Sequence, residues 1–448
     1  MQGCLQAWRI NYKTISMDEG DVRMTGSGSI RITGLVLLLL LFGGCASNQI
    51  YRDQFSSCVV SAQQDCERRS IQVHHPDSDQ EYLLGFVEID DQGQLRDRAQ
   101  MQSLLDNLYV EASKESLLIN VFVHGWHHNA APHDSNVESF KHSMAQLSEL
   151  ESRLSKAQHK PPRKVVGIYV GWRGESIDVP VLNNITFWER KNTAQEVGHL
   201  GMAELLLRLE EISNVKNTQQ PPIKSRLVVV GHSFGGAAVY SATSQILADR
   251  FVDSRGDKNF VDTAKGFGDL VVLINPAFEA LRYAPLYDLA QARCSYFPDQ
   301  RPRLVILTSE SDYATKLAFP VGRFFSTLLE VHDTIRRNDC KRPLVYSEGV
   351  ADRHTVGHFD PLITHELRPA TQRKVVAYDQ VQNVWRDQRV GGIQQYGSTE
   401  LVSLGKTALR NPYLNVKVDK RLISDHNDVF GEEIMEFLRQ LIVISTAE

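Results

Sequence analysis

Along most of the chain, short unbroken apolar runs alternate with longer stretches in which apolar positions recur at a helical period. The runs predict strands over 82–89, 117–123, 164–170, 226–230, 270–275, 303–308 and 414–418. Leu227-Val228-Val229-Val230 and Leu304-Val305-Ile306-Leu307 show no polar alternation, as expected of parallel strands covered by helices on both faces. The periodic stretches predict helices over 137–154, 194–212, 237–248 and 430–444. Proline pairs at 161–162 and 221–222 stop two of these segments ahead of the next strand. Repeated strand-helix order implies an α/β fold with a doubly wound, mostly parallel sheet. The rhythm breaks once, where about a hundred residues separate the 303–308 strand from that at 414–418. The interval from about 316 to 410 reads as an insertion before the last strand, a lid or a substrate-shaping region.

Composition narrows the class without changing that picture. The 448 residues carry 49 Lys+Arg against 54 Asp+Glu, a formal net charge of −5, with 42% apolar and 23% charged residues. Such a balance excludes a disordered chain, a collagen-like fibre and a polytopic membrane protein. It also gives no electrostatic reason to expect a nucleic-acid partner.

One stretch departs from the average. Leu35 to Phe42 is purely apolar, with Arg31 ahead of it and Gly43-Gly44-Cys45 behind. Eight residues span about 12 Å as a helix, far short of the roughly 30 Å hydrocarbon core, and suit the apolar region of a secretory signal. Leu41-Phe42-Gly43-Gly44-Cys45 resembles the lipobox of bacterial lipoproteins, with Phe42 where that family prefers Leu. The resemblance implies cleavage before Cys45, acylation of its thiol, and a membrane partner through the lipid. Ala46 beside the cysteine resembles the outer-membrane sorting pattern. Residues 1–45 are thus expected to be a leader, with Met24 or Met17 as its start, and residues 46–80 a polar tether. With Cys4 removed and Cys45 lipidated, Cys58, Cys66, Cys294 and Cys340 remain. Four cysteines allow three connectivities; nearest-neighbour pairing gives Cys58 with Cys66 and Cys294 with Cys340, against four inert thiols.

The chemistry centres on Gly231-His232-Ser233-Phe234-Gly235-Gly236, directly after one predicted strand and before a small-residue helix start. A serine on a sharp strand-to-helix turn has its hydroxyl exposed above the sheet edge, and the tight backbone demands glycine at both flanks. This motif resembles the nucleophile elbow of the α/β-hydrolase family, and the resemblance covers most of residues 80–448. It implies an α/β-hydrolase-type sheet, Ser233 as nucleophile, and the Phe234 N–H as one oxyanion donor. Upstream, Leu118-Ile119-Asn120-Val121-Phe122-Val123 runs into His124-Gly125-Trp126, like the family's oxyanion turn, making the Trp126 N–H the second donor.

The family order Ser, acid, His places the acid after the 303–308 strand, where Ser309-Glu310-Ser311-Asp312 follows. Asp312 matches the family's placement, with Ser309 where Gly is usual; Glu310 is the rival. The general base is expected between the last strand and the last helix, which selects His426 in Ser424-Asp425-His426-Asn427. His358, in Val356-Gly357-His358-Phe359-Asp360, competes with it. The group His124, His127, His128, His133 and Asp134 lacks the spacing of known zinc-hydrolase motifs, and no metal or other cofactor is expected. Trp172, after another predicted strand, is expected either to line the same face or to be a packing residue. The expected function is an envelope-anchored serine hydrolase cleaving a small-molecule or lipid ester, less readily an amide. An inactive lipoprotein using the fold for binding and a metal hydrolase are the alternatives.

Overall fold

The computed structural model describes residues 49–447 apart from 127, 173–192, 194–195, 255–261, 328–329, 341 and 375–376. Strands β1 (Gln54–Val59), β2 (Arg69–His74) and β3 (Tyr82–Ile89) precede α1 (Arg98–Lys114) and β4 (Leu117–Val123). There follow α2 (Ser135–Gln158), β5 (Lys164–Trp172), α3 (Gly201–Thr218), β6 (Arg226–His232) and α4 (Phe234–Asp253). Next come β7 (Leu270–Ile274), α5 (Ala280–Gln291), β8 (Leu304–Ser309), α6 (Phe319–Ser326) and a hairpin of β9 (Thr334–Asn338) and β10 (Pro343–Ser347). The chain closes with α7 (Glu348–Arg353), β11 (His365–Pro369), α8 (Val381–Arg386), β12 (Ile393–Tyr396), β13 (Thr399–Ser403), β14 (Tyr413–Val418) and α9 (Glu432–Thr446).

The described residues build a twelve-stranded mixed sheet in the order β1-β2-β3-β5-β4-β6-β7-β8-β14-β11-β13-β12. From β3 to β11 every neighbour pair is parallel; antiparallel pairing is confined to β2–β3, β11–β13 and β12–β13. The unbroken apolar runs find their cause in two separate cores. In β4, Leu117, Ile119, Val121 and Val123 face one core, while Leu118 and Phe122 face the other. Residues of α1, α3, α4 and α5 complete the first core, and those of α2, α8 and α9 the second. Both faces of the strands are therefore dry. Residues 46–448 cluster as one unit. Among the described residues no helix is long and apolar enough to cross a membrane.

Two expectations need correction. Residues 54–59 and 69–74, placed in a polar tether, are β1 and β2 of the main sheet. Polar atoms hold them there: the buried Glu88 carboxylate accepts from the Tyr51 and Arg52 backbone N–H groups at 2.9–3.1 Å. The fully buried Arg52 guanidinium lies over the Phe86 ring at 4.1 Å and donates to the Ala130 carbonyl. The interval 316–410 does intervene between the paired strands β8 and β14, but it is more than a lid, because β11, β12 and β13 within it extend the sheet beyond β14.

Strand order also locates the edge at which the two motif-bearing turns meet. From β4 the chain passes to β5 on one side, then crosses to β6 on the other. The crevice at such a switch point opens at the carboxyl ends of β4 and β6. His124-Gly125-Trp126 leaves β4 there, and Ser233 leaves β6.

Candidate active site

Ser233 sits between β6 and α4 with φ 55° and ψ −119°, a conformation that costs a non-glycine residue about 1–3 kcal/mol. Its backbone is held from three sides. The N–H donates to the Ile274 carbonyl at 2.9 Å, and the carbonyl accepts from the N–H groups of Ala237 and Ala277, each at 3.1 Å. The flanking glycines are needed for space. A Cβ on Gly235 would lie 2.3 Å from the Val123 carbonyl oxygen and 2.4 Å from that of His124. A Cβ on Gly231 would stand 2.8 Å from the Gly235 oxygen, and one on Gly125 would stand 2.8 Å from Ser233 Cβ. The β4 turn and the elbow thus approach too closely for a side chain at Gly125 or Gly235.

Three side chains far apart in sequence converge at this edge. His426 Nε2 lies 2.7 Å from Ser233 Oγ, and His426 Nδ1 lies 2.7 Å from Asp312 Oδ1. An ionised Asp312 accepts from Nδ1–H, which leaves Nε2 as acceptor for the serine hydroxyl. Asp312 is fully buried. Burial pushes its carboxyl up, but His426 and two hydrogen bonds from Thr315 outweigh burial and hold it below its usual value. Thr315 donates to Oδ1 through its N–H at 3.1 Å and to Oδ2 through its hydroxyl.

His358 is not beside Ser233. Its Nε2 lies 3.1 Å from Thr315 Oγ1, behind the acid. Because that hydroxyl donates to Asp312, it accepts from His358 Nε2–H. Burial lowers the His358 pKa to about 4, so the ring is neutral at pH 7 and the series runs Ser233, His426, Asp312, Thr315, His358. Glu310 turns outward to Lys417 Nζ at 2.8 Å.

Two further residues were not singled out in the sequence. The His426 carbonyl accepts from His232 Nε2–H at 2.8 Å and from Asn275 Nδ2–H at 3.0 Å. Burial, then the neighbouring His426, lowers the His232 pKa to about 3, and the ring stays neutral. Asn275, at φ 46°, also accepts from the Ser309 N–H at 2.9 Å, so one amide joins the ends of β7 and β8 to the His426 loop. Its place directly after β7 was the available signal.

The β4 turn is clamped in its own way. His124 Nε2 accepts from the Trp172 backbone N–H at 3.0 Å, and His124 Nδ1–H donates to the Gly125 carbonyl at 2.8 Å. The Trp172 indole N–H donates back to the His124 carbonyl at 2.8 Å, and the two rings stack. Trp172 is thus buried as a clamp rather than lining the face. The Trp126 ring meets the edge of Phe234, the first residue of α4, at a centroid distance of 6.4 Å.

Both nitrogens of His124 are engaged, which removes it as a metal ligand. His128 Nδ1 faces Asp134 at 3.2 Å, where Asp134 caps α2, and His133 pairs with exposed Glu67 at 3.1 Å. His127 lies outside the described residues, as do Cys45 and the rest of residues 1–48. Disulfides join Cys58 to Cys66 and Cys294 to Cys340. No family model, curated protein or solved structure matches the chain.

Proposed function

We propose that the protein is a serine hydrolase of the α/β-hydrolase type that cleaves a carboxylic ester, with an amide as the alternative substrate. The observation that carries this reading is the unbroken hydrogen-bonded series from Ser233 Oγ through His426 to buried Asp312, on a strained elbow. Ser233 attacks the acyl carbonyl while His426 Nε2 takes its proton, and Asp312 stabilises the imidazolium. His426 then protonates the leaving alcohol. Water, deprotonated by the same nitrogen, releases the acid from the acyl-enzyme and restores the serine. The N–H groups of Phe234 and Trp126 are assigned to the oxyanion. Two such donors contribute several kcal/mol to the rate. No step needs a metal or organic cofactor.

The proposed location rests on the resemblance of Leu41-Phe42-Gly43-Gly44-Cys45 to a lipobox. Acylation of Cys45 would hold the domain at the bacterial envelope, on the periplasmic side of the outer membrane. The two disulfides support an oxidising compartment. Labelling with a fluorophosphonate probe tests the chemistry: the wild type should react covalently, and Ser233→Ala should not. A folded wild type that stays unlabelled between pH 6 and 9 would overturn the reading and leave a binding module. Metabolic incorporation of a fatty acid, abolished by Cys45→Ser, tests the anchor separately.

A further inference from the structure

A second cluster of chemically capable side chains lies at the base of the β9–β10 hairpin. Glu330 and His332 precede the hairpin, and Asp352 lies in α7 directly after it. One ligand atom from each lies within 4.8 Å of the other two. His332 Nε2 stands 3.7 Å from Glu330 Oε2 and 3.9 Å from Asp352 Oδ2, too far for a hydrogen bond.

Asp352 is only 6% exposed, and its two oxygens are treated differently. Oδ1 accepts from Arg323 Nη2 at 2.8 Å, while Oδ2 is buried with no hydrogen-bond partner and faces the histidine. His332 Nε2 is likewise buried without one. Buried polar groups in folded proteins almost always have a partner, which asks for something between these two. The 3.7 and 3.9 Å gaps to His332 lie within the roughly 4.2 Å that two ligand bonds of about 2.1 Å to one cation span, and the exposed Glu330 carboxylate would turn inward to complete the set.

The surroundings are shaped to suit. Gly349 leaves room for the ring: a Cβ there would stand 2.9 Å from His332 Cγ. The hairpin's two flanks are locked together, with the Glu348 N–H donating to the Asp333 carbonyl at 2.9 Å and the Asp333 N–H donating to Glu348 Oε2 at 3.0 Å. Arg323 also pairs with Glu279 at 3.2 Å. Three carboxylates therefore surround one guanidinium and a histidine, an excess of negative charge that a divalent ion would cancel.

We propose that Glu330, His332 and Asp352 bind a divalent first-row transition-metal ion that clamps the base of the hairpin. An imidazole among the ligands selects a later first-row ion such as zinc over calcium and magnesium, which favour all-oxygen sites. Arg323 orients the Asp352 carboxylate so that Oδ2 faces the ion, the role outer partners play at metal sites. The hairpin's tip is tied elsewhere, by the Cys294–Cys340 disulfide and by Arg337 to Asp288 at 2.5 Å. The metal would fix the other end.

The test is titration of the chelator-stripped full chain, free of affinity-tag histidines, with Zn²⁺ and Ca²⁺ alone. One Zn²⁺ per chain should bind and raise the melting temperature, with Ca²⁺ at least tenfold weaker. His332→Gln should weaken binding by about a hundredfold, and Glu330→Gln, an exposed change that leaves the fold intact, by about tenfold. Ser233→Ala should bind as the wild type does. The proposal falls if no transition metal binds, if both variants bind like the wild type, or if His128→Ala removes the site instead. None of these outcomes bears on whether Ser233 is a nucleophile.

Discussion

The serine, acid and histidine that meet at the β6 edge were legible because each sits next to an element with a strong apolar signature. Ser233 follows an unbroken run, Asp312 follows the next strand but one, and His426 precedes the last helix. The residues that hold this set in place carried no comparable signal, since their value lies in contacts between distant segments. Asn275 illustrates the difference, reaching the His426 carbonyl from 151 residues away. Asn275→Asp keeps the shape but turns an acceptor toward that carbonyl. The loosened His426 loop should lower kcat by about 10–100-fold with KM nearly unchanged, measured on any ester that the wild type hydrolyses. An unaltered kcat would remove Asn275 from the positioning of His426. Thr315 makes the parallel case for the acid. Thr315→Val deletes the hydroxyl that serves both Asp312 Oδ2 and His358 Nε2. Two enclosed polar groups then lose a partner, and urea denaturation should report a loss of about 1–3 kcal/mol.

At the scale of elements, legibility tracked burial. The structure returns β3 and β4 with the expected bounds, because every residue of both is buried and their apolar runs end sharply. Strand β1 was missed because most of its residues are exposed and its sequence, Gln-Phe-Ser-Ser-Cys-Val, has no continuous apolar run. Such an edge strand is specified by its partner and by covalent ties rather than by its own pattern. The Cys58–Cys66 disulfide is one such tie, closing a separation of 8 residues, whereas Cys294–Cys340 closes 46. On loop-closure entropy the first contributes about 2.5 kcal/mol and the second about 4 kcal/mol. Paired Cys→Ser variants should therefore differ, with loss of Cys294–Cys340 costing the more in denaturant midpoint at equal slope. The reverse order would show that the β9–β10 hairpin is already held in the unfolded chain, or that β1 depends on its bond for more than entropy.

At the scale of the whole molecule, the fold keeps five histidines among the described residues in places where a proton is costly. Burial is the first cause in every case, lowering His74 and His232 to about 3 and His124, His358 and His365 to about 4. An unfolded histidine takes up its proton as pH falls through about 6.5, whereas these five stay neutral in the fold until about 4 or lower. Between those values the unfolded chain binds more protons than the native one. Stability is thus fully present above pH 6.5 and drains as pH falls toward 4, with each group adding up to about 1.4 kcal/mol per pH unit. Asp312 belongs to a different window. Its carboxyl is held below 3.8, so its contribution persists through this interval and is lost only at lower pH. Urea midpoints measured from pH 8 to 4.5 should therefore stay level and then fall steeply below 6.5. His365→Asn, a change away from the Ser233 edge, should flatten that fall by about one group's share. A midpoint that holds level down to pH 4.5 would mean that these rings find their protons in the native state, and with that the neutral clamps assigned to His124 and His232 would have to be abandoned.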